Sequence, residues 1–131
     1  MASSGLLASL SLDLDNQWSY MRTHGDAGWE SRPTYLPLVL PLALDLVESV
    51  GLRMTVFLVG EDARPESSHA LLRQIPTRGH EVGNHSLNHL QWLHKLPYDE
   101  LVHEIVEADR LITQASGQKP RGFRGPGFAC S

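Results

Sequence analysis

Cysteine is almost absent from this chain of 131 residues, since Cys130 stands alone and no internal disulfide can form. Clustered positive charge is also missing, and the formal net charge of −4 excludes the basic footprint that is typical of nucleic-acid binding. No apolar run approaches the roughly 18 residues that a membrane-spanning helix needs. Residues 1–10 carry no basic residue, which argues against a signal peptide. We therefore expect a cytoplasmic protein with no nucleic-acid or membrane partner.

What the sequence does contain is the composition of a folded protein. Hydrophobic residues make up 41% of the chain and charged residues 20%, which indicates a globular rather than a disordered chain. The length corresponds to about one domain, so we expect a single domain over residues 1–131.

Two histidines, His85 and His89, stand four positions apart in the segment 83–89. If this segment forms one helical turn, both rings project from the same face. Two neutral imidazoles could then supply two ligands of a metal site that a carboxylate completes. The short run 80–82 before them reads as a strand, and ligands bind at the C-terminal ends of strands in α/β folds. The alternative to a metal site remains open: one histidine would satisfy a buried polar group and the other would be solvated.

A pair of carboxylates follows the first apolar run. In residues 11–15 polar and apolar residues alternate, so that Asp13 and Asp15 share one face of a strand end. Two carboxylates on one face repel unless a cation or a proton separates them. An EF-hand loop is rejected because Trp18 occupies the position of the turn glycine. A solvated turn and a haloacid dehalogenase type of phosphatase both remain open for this segment.

The remaining pattern alternates strands and helices. The sequence predicts four strands and three helices. Pro41 takes the first position of the first helix, whose apolar stripe is Leu42, Leu46 and Val50 (or Leu44 and Val47). Glu104 lies on a solvated face of the third helix. The segment 18–35 is predicted to be a long loop whose Trp18 stacks on a sugar or packs the loop down. The alternation implies right-handed crossovers and a parallel sheet. The predicted strands are 6–14, 53–59, 80–82 and 122–124, and the predicted helices are 41–50, 66–75 and a third that Pro97 opens and Gly117 ends.

That topology places five chemically capable side chains at one edge of the sheet. Each of them lies at or just after the C-terminal end of a predicted strand. Such a convergence is much less probable by chance than any one of the placements. The five residues are Asp13, Asp15, His85, His89 and Arg124.

Three segments resemble, in order, the motifs of the polysaccharide deacetylases of the NodB-homology type, carbohydrate esterase family 4. Residues 11–16 (SLDLDN) look like the paired-Asp motif, 85–89 (HSLNH) are similar to H-[ST]-x-x-H, and 124–127 (RGPG) look like R-x-P-x-G. The resemblance implies an α/β fold, a partial (β/α) barrel with about four strands and three helices. It implies a hydrolase that removes N- or O-linked acetyl groups from a carbohydrate or related amide, acting on carbon–nitrogen but not peptide bonds.

The resemblance also implies roles for individual residues. Asp13 would be the general base, and Arg124 would orient its carboxylate. One divalent metal, most often zinc in this family, would be held by Asp15, His85 and His89. Backbone N–H groups near Gly127 and Phe128 would help to stabilise the oxyanion, and Trp18 is a candidate for substrate contact.

The chain also departs from the family pattern. Leu14 separates the two aspartates, which are usually adjacent, and this leaves the substrate open. The family barrel continues beyond the third motif, and the histidine that protonates the leaving amine lies in that later part. We therefore expect a truncated domain whose exposed sheet edges favour self-association. None of the other histidines stands where that acid belongs, namely His24, His69, His80, His94 and His103.

Three other functions remain as alternatives. A catalytically incomplete fragment could bind metal or sugar without chemistry, and the missing acid supports it, whereas the retained Asp13 and Arg124 argue against it. An iron oxygenase with two histidines and a carboxylate is disfavoured because such sites usually lie on antiparallel barrels. The phosphatase does not explain the histidine pair.

Overall fold

A computed structural model describes residues 5–128, so that Cys130 lies outside the described residues. Its centre is a parallel sheet of three strands in the order β1 (Ser11–Leu14), β2 (Thr55–Leu58) and β3 (Glu81–Asn84). The strands are short and their inward residues are almost wholly buried, as expected when helices cover a parallel sheet. The predicted α/β class with parallel strands is therefore confirmed.

Among residues 5–128 the sheet has three strands, where four were predicted. Phe123 makes only an isolated bridge to Asn84, through Asn84 N to Gly122 O and Arg124 N to Asn84 O, both 2.9 Å. Pro126 follows closely and has no N–H to donate, so a longer ladder could not continue there. The first strand is also shorter than predicted, because residues 5–10 are exposed and the alternating pattern begins only at Ser11.

Helix α2 (Leu36–Ser49) begins five residues before the start that was predicted for it. Pro37 lies near its first turn, and Pro41 lies inside the helix instead of at its start. The predicted stripe of Leu42, Leu46 and Val50 is the exposed face of α2 and its C-cap. The buried face consists of Leu36, Leu40, Leu44 and Val47, which includes the two residues named beside that stripe.

The predicted helix 66–75 is interrupted. It is divided into α4 (Glu66–Leu72) and α5 (Gln74–Thr77), with Arg73 between them. Pro76 is the cause, because its ring clashes with the carbonyl four residues earlier and it donates no hydrogen bond. A short helix that was not predicted, α3 (Gly60–Ala63), precedes them.

The last helix, α6 (Tyr98–Ser116), has the predicted extent and ends at Gly117 with a left-handed φ of 80°. The charged face of α6 was predicted to be solvated, but this is wrong for Glu104, whose side chain is turned into the protein and only 5% exposed. The core between the helices and the sheet is aliphatic. It includes Leu14, Leu40, Leu44, Val56, Leu58, Ile75, Val82 and Ile112.

The predicted loop 18–35 is largely helical. It contains α1 (Gln17–His24) and a 3-10 turn (Trp29–Ser31). The Asn16 side chain caps α1 by accepting from the Gln17 N–H at 3.0 Å, and Gly25 ends the helix. The helix thus begins two residues after Asp15, with Asn16 as its cap. Among residues 5–128, no helix is long and apolar enough to span a membrane.

Candidate metal centre

The ends of β1 and β3 lie together at one edge of the sheet. Asp13 is in β1 and Asp15 follows it, while His85 follows β3. The His85 N–H donates to Leu58 O at 2.9 Å, which continues the ladder to β2 by one residue. Because the strands are parallel, side chains from distant parts of the chain meet there, as the sequence predicted.

The histidines do not lie on a helical turn, which was the condition under which their spacing would place both rings on one face. Ser86 and His89 adopt left-handed backbone conformations, with φ of 69° and 54°. The loop is folded by side chains instead, since Asn84 Oδ1 accepts from Ser86 N at 2.8 Å and Ser86 Oγ accepts from His89 N at 3.1 Å. The two imidazole rings still lie side by side, with centroids 5.1 Å apart.

Glu104 of α6 holds the same loop from beneath. Its carboxylate accepts from Leu87 N at 3.2 Å, from Asn88 N at 3.0 Å and from Asn88 Nδ2 at 2.6 Å. The N-terminus of α3 contributes as well, because Gly60 N donates to Ser86 O at 2.9 Å. Two helices therefore fix the backbone that carries the histidines.

Three ligand atoms converge between these elements. Asp15 Oδ1 lies 3.4 Å from His85 Nε2 and 3.2 Å from His89 Nε2, and ligand atoms of all three residues lie within 4.8 Å of one another. The angles at these contacts are not those of hydrogen bonds. Within residues 5–128, Asp15 Oδ1 and both His89 ring nitrogens are therefore buried without a hydrogen-bond partner. Buried polar atoms without partners are costly, and one cation would satisfy Asp15 Oδ1 and His89 Nε2 together, though not His89 Nδ1, because an ion binds only one nitrogen of an imidazole. One carboxylate and two imidazoles fit a zinc-like divalent ion.

The hydrogen bonding of His85 favours metal ligation. Its Nδ1 lies 2.6 Å from Arg124 O, and a ring N–H there donates to the carbonyl. We assign the tautomer from this contact, which leaves the Nε2 lone pair directed at Asp15. Burial lowers the pKa of His85 despite this hydrogen bond and the neighbouring carboxylates. The imidazole is therefore kept in the neutral form that a metal requires.

The charge of Asp15 is maintained by its neighbours. Burial alone would raise the pKa of this carboxyl, but contact with the His89 ring, the hydrogen bond from Tyr20 and the attraction to both imidazoles hold it below its usual value. Burial, together with the hydrogen bond to this carboxylate, raises the pKa of Tyr20 to about 12. The Tyr20 hydroxyl thus remains a donor at neutral pH.

Asp13 and Arg124 form an ion pair beside the three ligands. Arg124 Nη1 lies 2.7 Å from Asp13 Oδ1, and Arg124 Nη2 donates to Ser11 Oγ at 2.8 Å. Asp13 Oδ2 faces His85 Nε2 at 3.8 Å. The Arg124 guanidinium also lies 4.2 Å from the centroid of the Phe57 ring. The contacts of Ser11 and Phe57 with Arg124 were not predicted, because they join residues that are far apart in the sequence.

Helix α1 contacts the centre in ways that the sequence did not suggest. Tyr20 Oη donates to Asp15 Oδ2 at 2.8 Å, and the Tyr35 hydroxyl donates to the Asp15 carbonyl. An Arg22 guanidinium N–H donates to the His89 carbonyl at 3.4 Å. Had α1 been predicted, its start two residues after Asp15 would have placed Tyr20 and Arg22 near the site.

Trp18 lies on the other side of α1. Its Nε1–H donates to Asp62 Oδ1 at 2.8 Å, and the Arg22 guanidinium lies 5.0 Å from its ring centroid. Trp18 and Trp29 line a cleft of about 440 Å³. Burial raises the pKa of Asp62 in the same cleft. These contacts hold Trp18 beside the cleft, and its contact with substrate stays a prediction.

The third segment that resembles the family ends in a 3-10 turn (Pro126–Phe128). Gly127 is exposed there with a φ of 63°, so the position favours glycine. The described backbone therefore turns sharply just after Arg124. The predicted role of the Gly127 and Phe128 backbone at an oxyanion is untested and stays a prediction.

Curated relatives resemble this chain over much of its length. A peptidoglycan-N-acetylglucosamine deacetylase of Bacillus cereus is 32% identical over 95 residues, which cover 72% of this chain and 41% of the relative. A chitooligosaccharide deacetylase of Sinorhizobium fredii is 28% identical over 118 residues, covering 84% of this chain and 54% of the relative. The chain therefore spans about half or less of the curated relatives it matches.

The fold has solved counterparts. A CE4 family pseudoenzyme from Bacillus anthracis matches with a TM-score of 0.70 and 23% identity, over 94% of this chain and 36% of that structure. At that identity the likeness supports the fold alone. The family model described as polysaccharide deacetylase matches residues 25–130, which is most of the chain. The chain belongs to the polysaccharide deacetylase family.

Proposed function

We propose that this chain carries the metal-binding and base-bearing part of a metal-dependent deacetylase. The substrate class is an acetylated carbohydrate or a related amide, from which an N- or O-linked acetyl group is removed by water. Relatives named as deacetylases of peptidoglycan and chitooligosaccharide support this class. The reaction cleaves a carbon–nitrogen bond that is not a peptide bond, or the corresponding ester.

One observation carries the proposal: a carboxylate that is held by an arginine lies next to a set of three metal-ligand atoms. Asp13 Oδ2 is 3.8 Å from His85 Nε2, and its other oxygen is held by Arg124 at 2.7 Å. A merely structural metal site does not need this second, oriented carboxylate. Hydrolysis does need it, because a base must stand beside the water that attacks.

Asp15, His85 and His89 would hold the metal, which we propose to be zinc. When bound, the metal would lower the pKa of a water molecule and polarise the acetyl carbonyl. Asp15 supplies the negative charge of the ligand set, and the two neutral histidines supply lone pairs.

Asp13 then carries the proton transfers. Its Oδ2 takes the proton of the attacking water, while Arg124 keeps Oδ1 occupied and the carboxylate plane fixed. In the family a histidine beyond the third motif protonates the leaving amine. Within residues 5–128, the group beside the ligands that can give a proton to the leaving nitrogen as the carbon–nitrogen bond breaks is the carboxyl of Asp13 that the water has protonated. Backbone N–H groups near Gly127 and Phe128 would stabilise the developing oxyanion. The products are acetate and a free amine on the sugar.

The test measures acetate released from an acetylated chitooligosaccharide by the chain in the presence of Zn²⁺. Wild type should release acetate, a chelator should stop the release, and His85→Ala should abolish it. His94→Ala is the matched control, because His94 is exposed and lies outside the three ligands. A wild type that binds zinc but releases no acetate would contradict the deacetylase proposal and favour a non-catalytic metal- or sugar-binding fragment.

A further inference from the structure

The two oxygens of the Asp15 carboxylate have different surroundings. Oδ1 faces the two histidines and, within residues 5–128, has no hydrogen-bond partner. Oδ2 accepts the hydroxyl of Tyr20 at 2.8 Å. A carboxylate on a short side chain can rotate, and either oxygen could face the histidines unless something distinguishes them.

We propose that Tyr20 is a positioning residue that fixes the orientation of the Asp15 carboxylate, so that Oδ1 alone is presented to the metal. The inference rests on the proposed metal site. The hydroxyl acts through Asp15 and is not itself a ligand. Partners of this kind orient ligands and typically change metal affinity by about 10–100-fold when they are removed.

The fold places Tyr20 rigidly enough for this role. Helix α1 begins two residues after Asp15, and its cap residue Asn16 is anchored by donating to Asp62 Oδ1 at 3.0 Å. The Tyr20 ring lies 6.2 Å from the His89 ring, between centroids. The hydroxyl therefore approaches the carboxylate from a helix that is tied to the rest of the fold.

A second tyrosine contacts the main chain of Asp15. Tyr35 donates to the Asp15 carbonyl, so that it fixes the backbone and not the carboxylate. This division leaves the rotation of the carboxylate group to the hydroxyl of Tyr20. Removing that hydroxyl alone, while keeping the ring beside His89, isolates the proposed role.

The test compares Tyr20→Phe with wild type by titrating Zn²⁺ against a chromogenic chelator and by recording the visible spectrum of the Co²⁺ form. Tyr20→Phe should weaken Zn²⁺ binding about tenfold and alter the Co²⁺ spectrum, because Asp15 is no longer held in one orientation. Tyr98→Phe is the matched control, since Tyr98 is 78% exposed at the start of α6. It should leave both readouts unchanged.

Melting of the metal-free proteins separates positioning from folding. A metal-free Tyr20→Phe protein that melts like wild type but binds Zn²⁺ more weakly supports the inference. Unchanged Zn²⁺ affinity and an unchanged Co²⁺ spectrum would overturn the role of Tyr20 while leaving the metal centre intact. A wild type that binds no Zn²⁺ would overturn the metal centre itself, and the inference with it. If Tyr20→Phe does not fold, Tyr20→Trp, which retains an N–H donor and offers no metal ligand, supports the inference if its Zn²⁺ affinity exceeds that of Tyr20→Leu and overturns it if the two affinities are equal.

Discussion

Two aspartates separated by a single residue have different partners in this protein. Asp13 is paired with a guanidinium, whereas Asp15 is directed at two imidazoles and a tyrosine hydroxyl. Their spacing puts them on the same face, as the alternating pattern predicted. The division of partners depends on Arg124, which is 111 residues away from Asp13 in the sequence. We infer from it that Asp13 acts on protons and Asp15 acts on the metal.

Asp13→Asn tests this division. The amide keeps the shape of the carboxylate and cannot accept the proton of an attacking water, so acetate release should fall by about 10²–10⁴-fold. Zn²⁺ affinity, measured by chelator competition, should stay near that of wild type because Asp13 is not among the three ligands.

Asp99→Asn is the control for the loss of one negative charge, since Asp99 is exposed in the first turn of α6. It should leave both measurements unchanged. If Asp13→Asn instead abolished Zn²⁺ binding and Asp99→Asn did not, Asp13 would be a ligand and the division would be wrong.

At the scale of elements, the loop that carries the histidines shows what local sequence could not predict. A spacing of four suggested a helical turn, but the loop is held by Asn84, by Ser86 and by Glu104 from α6. The two rings became neighbours through left-handed residues and not through helical periodicity. Glu104 was predicted to lie on a solvated face. The sequence pattern of α6 does not show that the backbone N–H groups of the histidine loop need an acceptor from this helix.

Glu104→Ala should therefore destabilise the protein much more than an ordinary change on a helix surface. It leaves Leu87 N and Asn88 N without their acceptor, and we expect the free energy of unfolding in urea to fall by about 2 kcal/mol. Glu100→Ala is the matched control, one turn earlier and exposed. Equal effects of the two changes would show that the Glu104 contacts contribute nothing to stability.

The packing of β3 against β2 depends on a glycine. A Cβ added at Gly83 would lie 2.6 Å from Phe57 Cε1, and that ring is itself covered by Arg124 at 4.2 Å. The ring therefore has little room to move away. Gly122 lies near the same ring, but a Cβ there would be 3.8 Å from Phe57 Cε1, an ordinary contact.

Gly83→Ala should lower the free energy of unfolding by about 2 kcal/mol, because the added methyl overpacks the sheet. Gly122→Ala should change it by a few tenths of a kcal/mol at most. Urea unfolding of the two variants beside wild type makes the comparison. A mild Gly83→Ala would mean that Phe57 can adopt another rotamer without cost.

For the molecule as a whole, periodicity predicted the α/β class, the parallel order of the strands and the edge at which the five residues meet. It did not predict α1, whose apolar residues are few, nor which face of α2 is buried. Both faces of α2 are rich in leucine, so that only tertiary packing distinguishes Leu40 and Leu44 from the exposed Leu42 and Leu46. Self-association through exposed sheet edges stays a prediction.

The proposed metal centre lies between the two outer strands of the sheet, because its three candidate ligands follow β1 and β3 and the carboxylate of Asp13 beside them is held by Arg124. Zn²⁺ should bind the folded chain far better than the unfolded one and so stabilise the whole domain. At a free Zn²⁺ concentration of 100 times Kd, the expected gain in the free energy of unfolding is about 2.7 kcal/mol.

Differential scanning calorimetry with and without a chelator measures this gain. His89→Ala should remove the response to Zn²⁺ because it removes one of the three ligands, whereas His94→Ala should keep it. A response that survives in His89→Ala would place the stabilising ion elsewhere. If both variants lost the stabilisation by Zn²⁺ equally, the ion would be bound by scattered surface histidines, because His94 is exposed and is not one of the three candidate ligands.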